Sequence, residues 1–186
     1  MLGRKTRLFP NLSEFEMTTP SKLAKSDSEH AHQTALFAWC AVARQHGFEI
    51  ADHWDGYADL NASKSAFRSN PVKALQWIHA IPNGGARGDD AKTRAIRGGA
   101  LKAEGVRSGV PDVFLPWPAH GWMGLYIEMK KPDQKPVKAT SKGGLSDEQI
   151  EFGDYAKSVG YGWVVCYSWR DAANAIRQYV EWNHRV

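Results

Sequence analysis

The most constraining feature of the sequence is a pair of short apolar runs, "VPDVFLPW" and "WMGLYIEMK", separated by only the four residues "PAHG". Both runs are rich in branched and aromatic residues, which favour β-strands. Because the connection is so short, the two strands can pair only in the antiparallel direction. The sequence therefore predicts a β-hairpin between residues 110 and 130 on which the other elements must pack.

Charged residues lie at the open end of this hairpin. Successive side chains of a strand alternate between its faces, so Glu128 and Lys130 share one face and Met129 points to the other. The antiparallel pairing brings Asp112 back beside them. Two carboxylates so close together repel each other unless a cation neutralises them. We predict that Asp112 and Glu128 bind Mg²⁺ or Mn²⁺, hard ions that prefer oxygen ligands, with the backbone carbonyl of Met129 as a further ligand.

Such an ion can orient a scissile phosphate, lower the pKa of a bound water and offset the charge that builds up during attack. We expect the Lys130 ammonium to position or activate the water. The alternative is a surface salt bridge between Glu128 and Lys130, which is common at strand ends and contributes little to stability.

Helical and strand patterns alternate along the rest of the chain. A helix with Ser26, Asp27 and Ser28 as N-cap candidates ends at Gly47, and it precedes a short strand in "ALQWIHAIPNGG" and a basic helix over about 90–102. After the hairpin, Ser146 opens another helix, "YGWVVCYSW" reads as the last strand and "RDAANAIRQYVEWNH" as the closing helix. This order predicts an α/β fold with a mixed β-sheet flanked by helices.

The predicted organisation is one domain over residues 28–186, preceded by a flexible polar arm over residues 1–27. The turn-rich residues 50–71 read as an insertion in the domain. No run is apolar enough for a membrane span or a signal peptide, so we expect a cytoplasmic protein, in the host cytoplasm if a virus encodes it.

Basic residues flank the hairpin on both sides, although the formal net charge of the chain is only +4. Clustered lysine and arginine suit a phosphate backbone, while solvated protein faces are the alternative. The predicted DNA contacts are Arg87, Lys92, Arg94, Arg97, Arg107, Lys131 and Lys135. Among the aromatic residues, we expect Trp39, Trp77 and Trp163 in the core and Trp54 and Tyr57 as candidates for base stacking.

Four segments together resemble one known family: "IPNGG" at 81–85, "LKAEGVRSGVPDVFL" at 101–115, "YIEMK" at 126–130 and "LSDEQIEF" at 145–152. They are similar to the VRR-NUC (virus-type replication-repair nuclease) domain of the PD-(D/E)xK nuclease superfamily. The resemblance implies a restriction-endonuclease-like core and hydrolysis of phosphodiester bonds in DNA with Mg²⁺ or Mn²⁺. It also implies that Asp112 and Glu128 hold the metal, that Lys130 is the catalytic lysine, and that Glu29 and Gln149 lie near the metal.

Stand-alone domains of this kind resemble small nucleases carried by bacterial viruses. We therefore expect a structure-selective DNA endonuclease, acting on four-way junctions or flaps, and a homodimer with paired active sites would suit a junction. The alternatives are a non-catalytic DNA-binding module on the same fold and, more remotely, a protein-interaction adaptor.

Overall fold

The computed structural model describes residues 18–56, 69–82 and 99–181 and centres on a four-stranded mixed sheet. The strands lie side by side in chain order: β1 (His79–Ala80), β2 (Val113–Leu115), β3 (Leu125–Met129) and β4 (Gly162–Cys166). The pairs β1–β2 and β2–β3 are antiparallel, and β3–β4 is parallel. In this part of the chain, the principal helices are α1 (Pro20–Leu23), α2 (Glu29–His46), α3 (Phe48–Gly56), α4 (Asp147–Ser158) and α5 (Trp169–Glu181). Residues 99–103 are helical as well.

The predicted hairpin, the parallel last strand and the flanking helices are all present, so the α/β prediction is confirmed. Ser28 is the N-cap of α2, where its side chain accepts a hydrogen bond from the backbone N–H of Ala31, and Gly47 with φ of 103° ends that helix. The parallel pairing of β3 with β4 follows from the helix between them, because parallel strands need a long crossover connection. The chain therefore leaves the hairpin at Met129, crosses through α4 and returns beside it.

One face of the sheet builds the main hydrophobic core. Val113, Leu115, Ile127 and Met129 alternate along β2 and β3 and are fully buried there, where α2 and α5 pack against the strands. The intervening residues point to the opposite face, as the twofold repeat of a strand requires. That opposite face carries Glu128, and it is the face that positions the site.

Helix α4 covers part of the second face at very short range. A Cβ atom at Gly153 would lie only 2.6 Å from the Trp163 ring, so this position on α4 has space for nothing larger than glycine. Phe152 of the same helix contacts the ring of Tyr126 edge to face, with the ring centroids 5.1 Å apart. The close packing fixes the distance of α4 from strands β3 and β4.

The prediction of a flexible arm over residues 1–27 is wrong for the last residues of that range. Residues 20–26 form α1 and a following 3-10 turn, with Pro20 at the first helical turn and both Pro20 and Ala24 buried beside α2. Proline is well suited to this position because the first N–H groups of a helix have no partner within it. Residues 1–17 lie outside the described part of the chain.

The start of the predicted insertion is also helical, because α3 covers residues 48–56 and packs against α2. The indole N–H of Trp39 donates to the Asp52 carboxylate at 2.8 Å, and the Trp39 ring stacks on Phe48.

Trp54 is buried, so its predicted role in base stacking is wrong. Trp77 is 74% exposed rather than in the core, because it lies on a 3-10 turn before β1. Tyr57 and the rest of the segment to residue 68 fall outside the described residues.

Within the described ranges, none of the helices combines the length and the apolar character required to cross a bilayer.

The contact between α4 and β4 generates a stability prediction. We expect Gly153→Ala to destabilise the protein by about 1–3 kcal/mol, because the added methyl group overlaps the Trp163 ring and has to push the helix away. The exposed neighbour provides a control, since Asp154→Ala should stay within about 0.5 kcal/mol of the wild type. Urea unfolding of both variants measures the difference, and equal stability of the two would contradict this packing.

Candidate active site

The pairing of β2 with β3 brings the predicted charged residues together. Val113 pairs with Ile127, so the register places Asp112 opposite Glu128 at the end of the hairpin. One oxygen of the Asp112 carboxylate, Oδ2, accepts a hydrogen bond from the backbone N–H of Met129 at 2.9 Å. The Lys130 ammonium lies 2.9 Å from Oε1 of Glu128. The three charged side chains therefore lie at one end of the sheet, as the hairpin predicted.

The backbone hydrogen bonds between β2 and β3 stop at this end of the hairpin because of Pro111. Continuing the β2–β3 register places Met129 opposite Pro111, and proline has no N–H to donate. The N–H and C=O of one strand residue point to the same side, so the Met129 carbonyl points toward the strand that carries Asp112. Met129 thus has its side chain in the core and its carbonyl beside the carboxylates, which is the arrangement expected of a backbone ligand.

Glu128 is the most unusual charged residue of the structure because it is only 1% exposed. Its oxygen Oε1 receives hydrogen bonds from Lys130 and from the amide of Gln149. Its second oxygen, Oε2, is buried without a hydrogen-bond partner among the described residues. Burial, followed by the negative charge of Asp112, raises the pKa of Glu128 to about 7, and the nearby Lys130 opposes this rise. The carboxylate is therefore held in a place where its negative charge is only partly compensated.

Gln149 reaches the site from the first turn of α4. Its side-chain N–H donates to Oε1 of Glu128, while its side-chain oxygen accepts from the backbone N–H of Ser146 at 3.0 Å. Gln149, which the family resemblance places near the metal, thus contacts Glu128, and its role at a metal stays a prediction.

Glu29 lies close to the site without joining the carboxylate pair. It is the first residue of α2, and burial together with the charge of Asp112 raises its pKa, while Lys130 and Lys131 lower it. Across residues 18–56, 69–82 and 99–181, no three His, Cys, Asp or Glu side chains form a ready-made metal cluster. Glu29 is coupled to Asp112 by charge, and its predicted role as a metal ligand stays a prediction.

The donors present nevertheless fit a hard divalent cation. Oε2 of Glu128 is a buried carboxylate oxygen without a hydrogen-bond partner among the described residues, and Asp112 and the carbonyl of Met129 lie on the same side of the hairpin end. Mg²⁺ typically takes only one or two carboxylates and completes its shell with water and substrate oxygens. The chemistry of this donor set therefore suits Mg²⁺ or Mn²⁺ better than Zn²⁺, which would favour histidine or cysteine.

A basic loop over residues 131–144 follows the site directly. Lys131, Lys135 and Lys138 are exposed along it, and Lys142 pairs with Asp147 at 2.5 Å. The hydroxyl of Tyr167 donates to the carbonyl of Gly143 at 3.2 Å and ties the loop to the end of β4. Arg107 is exposed in the segment that leads into β2. The other predicted DNA contacts, Arg87, Lys92, Arg94 and Arg97, fall outside the described residues.

Tyr167 was not identified from the sequence, although it lies within electrostatic range of Lys130. Its position directly after β4 could have indicated that it lies near the site. Strand β4 is parallel to β3, so both strands end at the same edge of the sheet.

Comparison with known proteins supports the relationship that the motifs indicate. A family model described as the VRR-NUC domain matches residues 76–169, which is about half of the chain. A solved structure described as a VRR_NUC domain protein is 21% identical, with a TM-score of 0.50, over 83% of this chain and 88% of that chain, and it shares the fold. No curated protein matches the sequence. The match of the family model over the hairpin, α4 and β4 shows that the chain belongs to the VRR-NUC family, a family of the nuclease type.

Proposed function

We propose that the protein is an Mg²⁺- or Mn²⁺-dependent endonuclease that hydrolyses phosphodiester bonds in DNA. The observation that carries the proposal is the convergence of Asp112, Glu128 and Lys130 at one end of the sheet, with one buried oxygen of Glu128 left without a hydrogen bond. A salt bridge that served stability alone would not require a second carboxylate beside it, since a like charge at short range is unfavourable. The paired acids therefore favour a cation-binding site over a structural ion pair.

The residues of the chain have distinct roles in this proposal. Glu128, Asp112 and the carbonyl of Met129 hold the cation, and Glu29 contributes negative charge from the start of α2. When bound, the cation supplies Lewis-acid chemistry that polarises the scissile phosphate and favours ionisation of water. Gln149 fixes the other oxygen of Glu128.

Lys130 is the residue that we assign to the reacting groups. Its ammonium is mostly buried and lies beside the carboxylate pair, so it carries a positive charge in a place from which bulk water is largely excluded. There it can donate a hydrogen bond to the attacking water or to a phosphate oxygen and stabilise the negative charge of the transition state. An arginine or a surface lysine would not provide the same point charge at this depth.

The basic loop over residues 131–144 provides the path for the DNA backbone. Lys131 follows the catalytic lysine immediately, and Lys135 and Lys138 extend the positive charge away from the site along the exposed side of the loop. Contacts of lysine with phosphate orient nucleic acid without reading its sequence. This fits selection by DNA shape, and we propose four-way junctions or flaps as the preferred substrates.

Variants of the site residues test the enzymatic assignment. We expect Asp112→Asn and Lys130→Met to reduce cleavage by at least about 100-fold, because each removes one charge from the reacting centre. Asparagine keeps an oxygen that can accept the Met129 N–H, and methionine keeps most of the apolar lysine stem, so both variants should fold. The measurement is cleavage of labelled four-way junction, 5′ flap, splayed-arm and linear duplex DNA with Mg²⁺, Mn²⁺ or EDTA.

The exposed Lys73 on the 3-10 turn before β1 supplies the matched control, and Lys73→Met should cut like the wild type. Cleavage by Asp112→Asn at the wild-type rate would refute the proposed site. Salt-dependent DNA binding by the wild type without any metal-dependent cleavage would instead favour the non-catalytic binding module.

Charge reversal in the basic loop tests the DNA path. We expect Lys135→Glu with Lys138→Glu to weaken DNA binding and to reduce the slope of log affinity against log salt by about one to two, since each lost phosphate contact changes it by roughly 0.9. Fluorescence anisotropy in EDTA over a series of salt concentrations measures this without cleavage. The double change Lys73→Glu with Lys22→Glu alters the net charge equally at exposed positions outside the loop, and the path would be wrong if this control lowered the slope as much.

A further inference from the structure

The N-terminus of α4 carries a reciprocal capping arrangement that is continuous with the site. Ser146 is the N-cap, and its hydroxyl accepts a hydrogen bond from the backbone N–H of Gln149 at 3.3 Å. In return, the side-chain oxygen of Gln149 accepts from the backbone N–H of Ser146 at 3.0 Å. These two bonds satisfy N–H groups that a helix end would otherwise leave without partners.

The choice of glutamine at this capping position has a consequence for Glu128. A glutamine amide has one acceptor oxygen and one donor nitrogen, which are fixed at opposite sides of the same planar group. Because its oxygen binds the Ser146 N–H, its NH₂ group must point the other way, where it donates to Oε1 of Glu128. A glutamate here would cap the helix equally well but would place a second carboxylate against Glu128.

The same contact determines which oxygen of Glu128 remains available. Gln149 and Lys130 both bind Oε1, and Oε2 is the buried oxygen without a hydrogen-bond partner in the described part of the chain. If the amide of Gln149 rotated, Oε1 would keep only the Lys130 ammonium as a donor, and the carboxylate would be held less firmly in its orientation. The capping arrangement therefore fixes the direction in which the second oxygen points.

Gly109 holds this helix end against the segment that carries Asp112. Its φ is +85°, and a Cβ atom there would lie 2.5 Å from the carbonyl oxygen of Glu148, the residue before Gln149. The backbone before β2 and the first turn of α4 are therefore in direct contact. The first turn of α4 thus has a fixed position relative to both acids.

We propose that Ser146 is a positioning residue of the active site, which acts through the amide of Gln149 to orient Glu128 toward the divalent cation. The inference rests on the proposed nuclease function, because it deepens the role of the same site. Ser146 is exposed, and the structure links it to the site through Gln149. Its backbone N–H binds the side-chain oxygen of Gln149, and its hydroxyl binds the Gln149 backbone N–H. Without the hydroxyl, the first turn of α4 is less firmly held to residue 146, so the Ser146 N–H no longer fixes the amide in place.

The chain offers a matched pair of serine caps for the experiment. Ser168 precedes α5, and its hydroxyl accepts the backbone N–H of Asp171 at 3.0 Å. The Asp171 side chain accepts the backbone N–H of Tyr167, whereas the Gln149 side chain contacts Glu128 directly. We expect Ser146→Ala and Ser168→Ala to lower the melting temperature by a similar amount, roughly 2–4 °C. Only Ser146→Ala should weaken Mn²⁺ binding, by about 10-fold or more in isothermal titration calorimetry without DNA.

Two further variants separate positioning from general loss of stability. Ser146→Thr keeps a capping hydroxyl and should restore Mn²⁺ affinity to within about twofold of the wild type. In a Gln149→Ala background, Ser146→Ala should cause no further loss of affinity, since the residue through which it acts is gone. A loss in Ser168→Ala equal to that in Ser146→Ala, or an undiminished loss in the Gln149→Ala background, would overturn the proposal.

The side-chain NH₂ resonances of Gln149 in a ¹⁵N NMR spectrum provide a readout that needs neither metal nor DNA. They should shift in Ser146→Ala and stay in place in Ser168→Ala, whereas an unshifted NH₂ pair in Ser146→Ala would refute the coupling. If the wild type bound no Mn²⁺ and cut no DNA while the NH₂ pair shifted as expected, the proposed nuclease function would fail and the capping geometry would stand. The two failures are therefore distinguishable.

Discussion

The burial of the Glu128 carboxylate is the interaction on which the rest of the site depends. A carboxylate removed from water is costly unless charges and hydrogen bonds compensate it. Lys130 and Gln149 supply that compensation at one oxygen, and Asp112 adds further negative charge nearby. The described protein groups neutralise this arrangement only in part, and we propose that a divalent cation neutralises the rest.

The pairing register of the strands, rather than any long loop, brings these charged residues together. Antiparallel pairing of β2 with β3 places Asp112 opposite Glu128, and parallel pairing of β3 with β4 requires a crossover helix. That helix begins beside the carboxylates and contributes Gln149. Pro111 removes one N–H donor from the ladder, at the position opposite Met129. Strand pairing, the crossover and the proline thus converge on one edge of the sheet.

Much of this could be predicted from the sequence because it depends on local rules. Alternation along a strand assigned Glu128 and Lys130 to one face, and cap residues such as Ser28, Gly47 and Ser146 marked helix ends that the structure confirms. The proximity of Gln149 came from resemblance to a family, since no spacing rule links residue 149 to residue 128. The roles of these residues stay predictions until activity is measured.

The predictions that were wrong concern segments whose structure is determined by tertiary contacts rather than by the local sequence pattern. Helix α1 spans only Pro20–Leu23, too short to show a period, and it is stabilised by packing on α2. The predicted environments of Trp54 and Trp77 are wrong because tryptophan occurs both in the core and at the surface of proteins. The residues that surround it in the fold determine its exposure. The place of Glu29 near Asp112 likewise depends on the packing of α2 against the sheet, which sequence spacing does not encode.

We propose above that Asp112 and Glu128 form a binding site for a divalent cation at the end of the hairpin. A crystal structure of the protein soaked in Mn²⁺, with anomalous diffraction recorded to locate the ion, tests this site. We expect an anomalous peak within bonding distance of Oε2 of Glu128 and of the Asp112 carboxylate, with the Lys130 ammonium beside it. A well-ordered hairpin without a peak at these carboxylates, at Mn²⁺ concentrations that support cleavage, would contradict it.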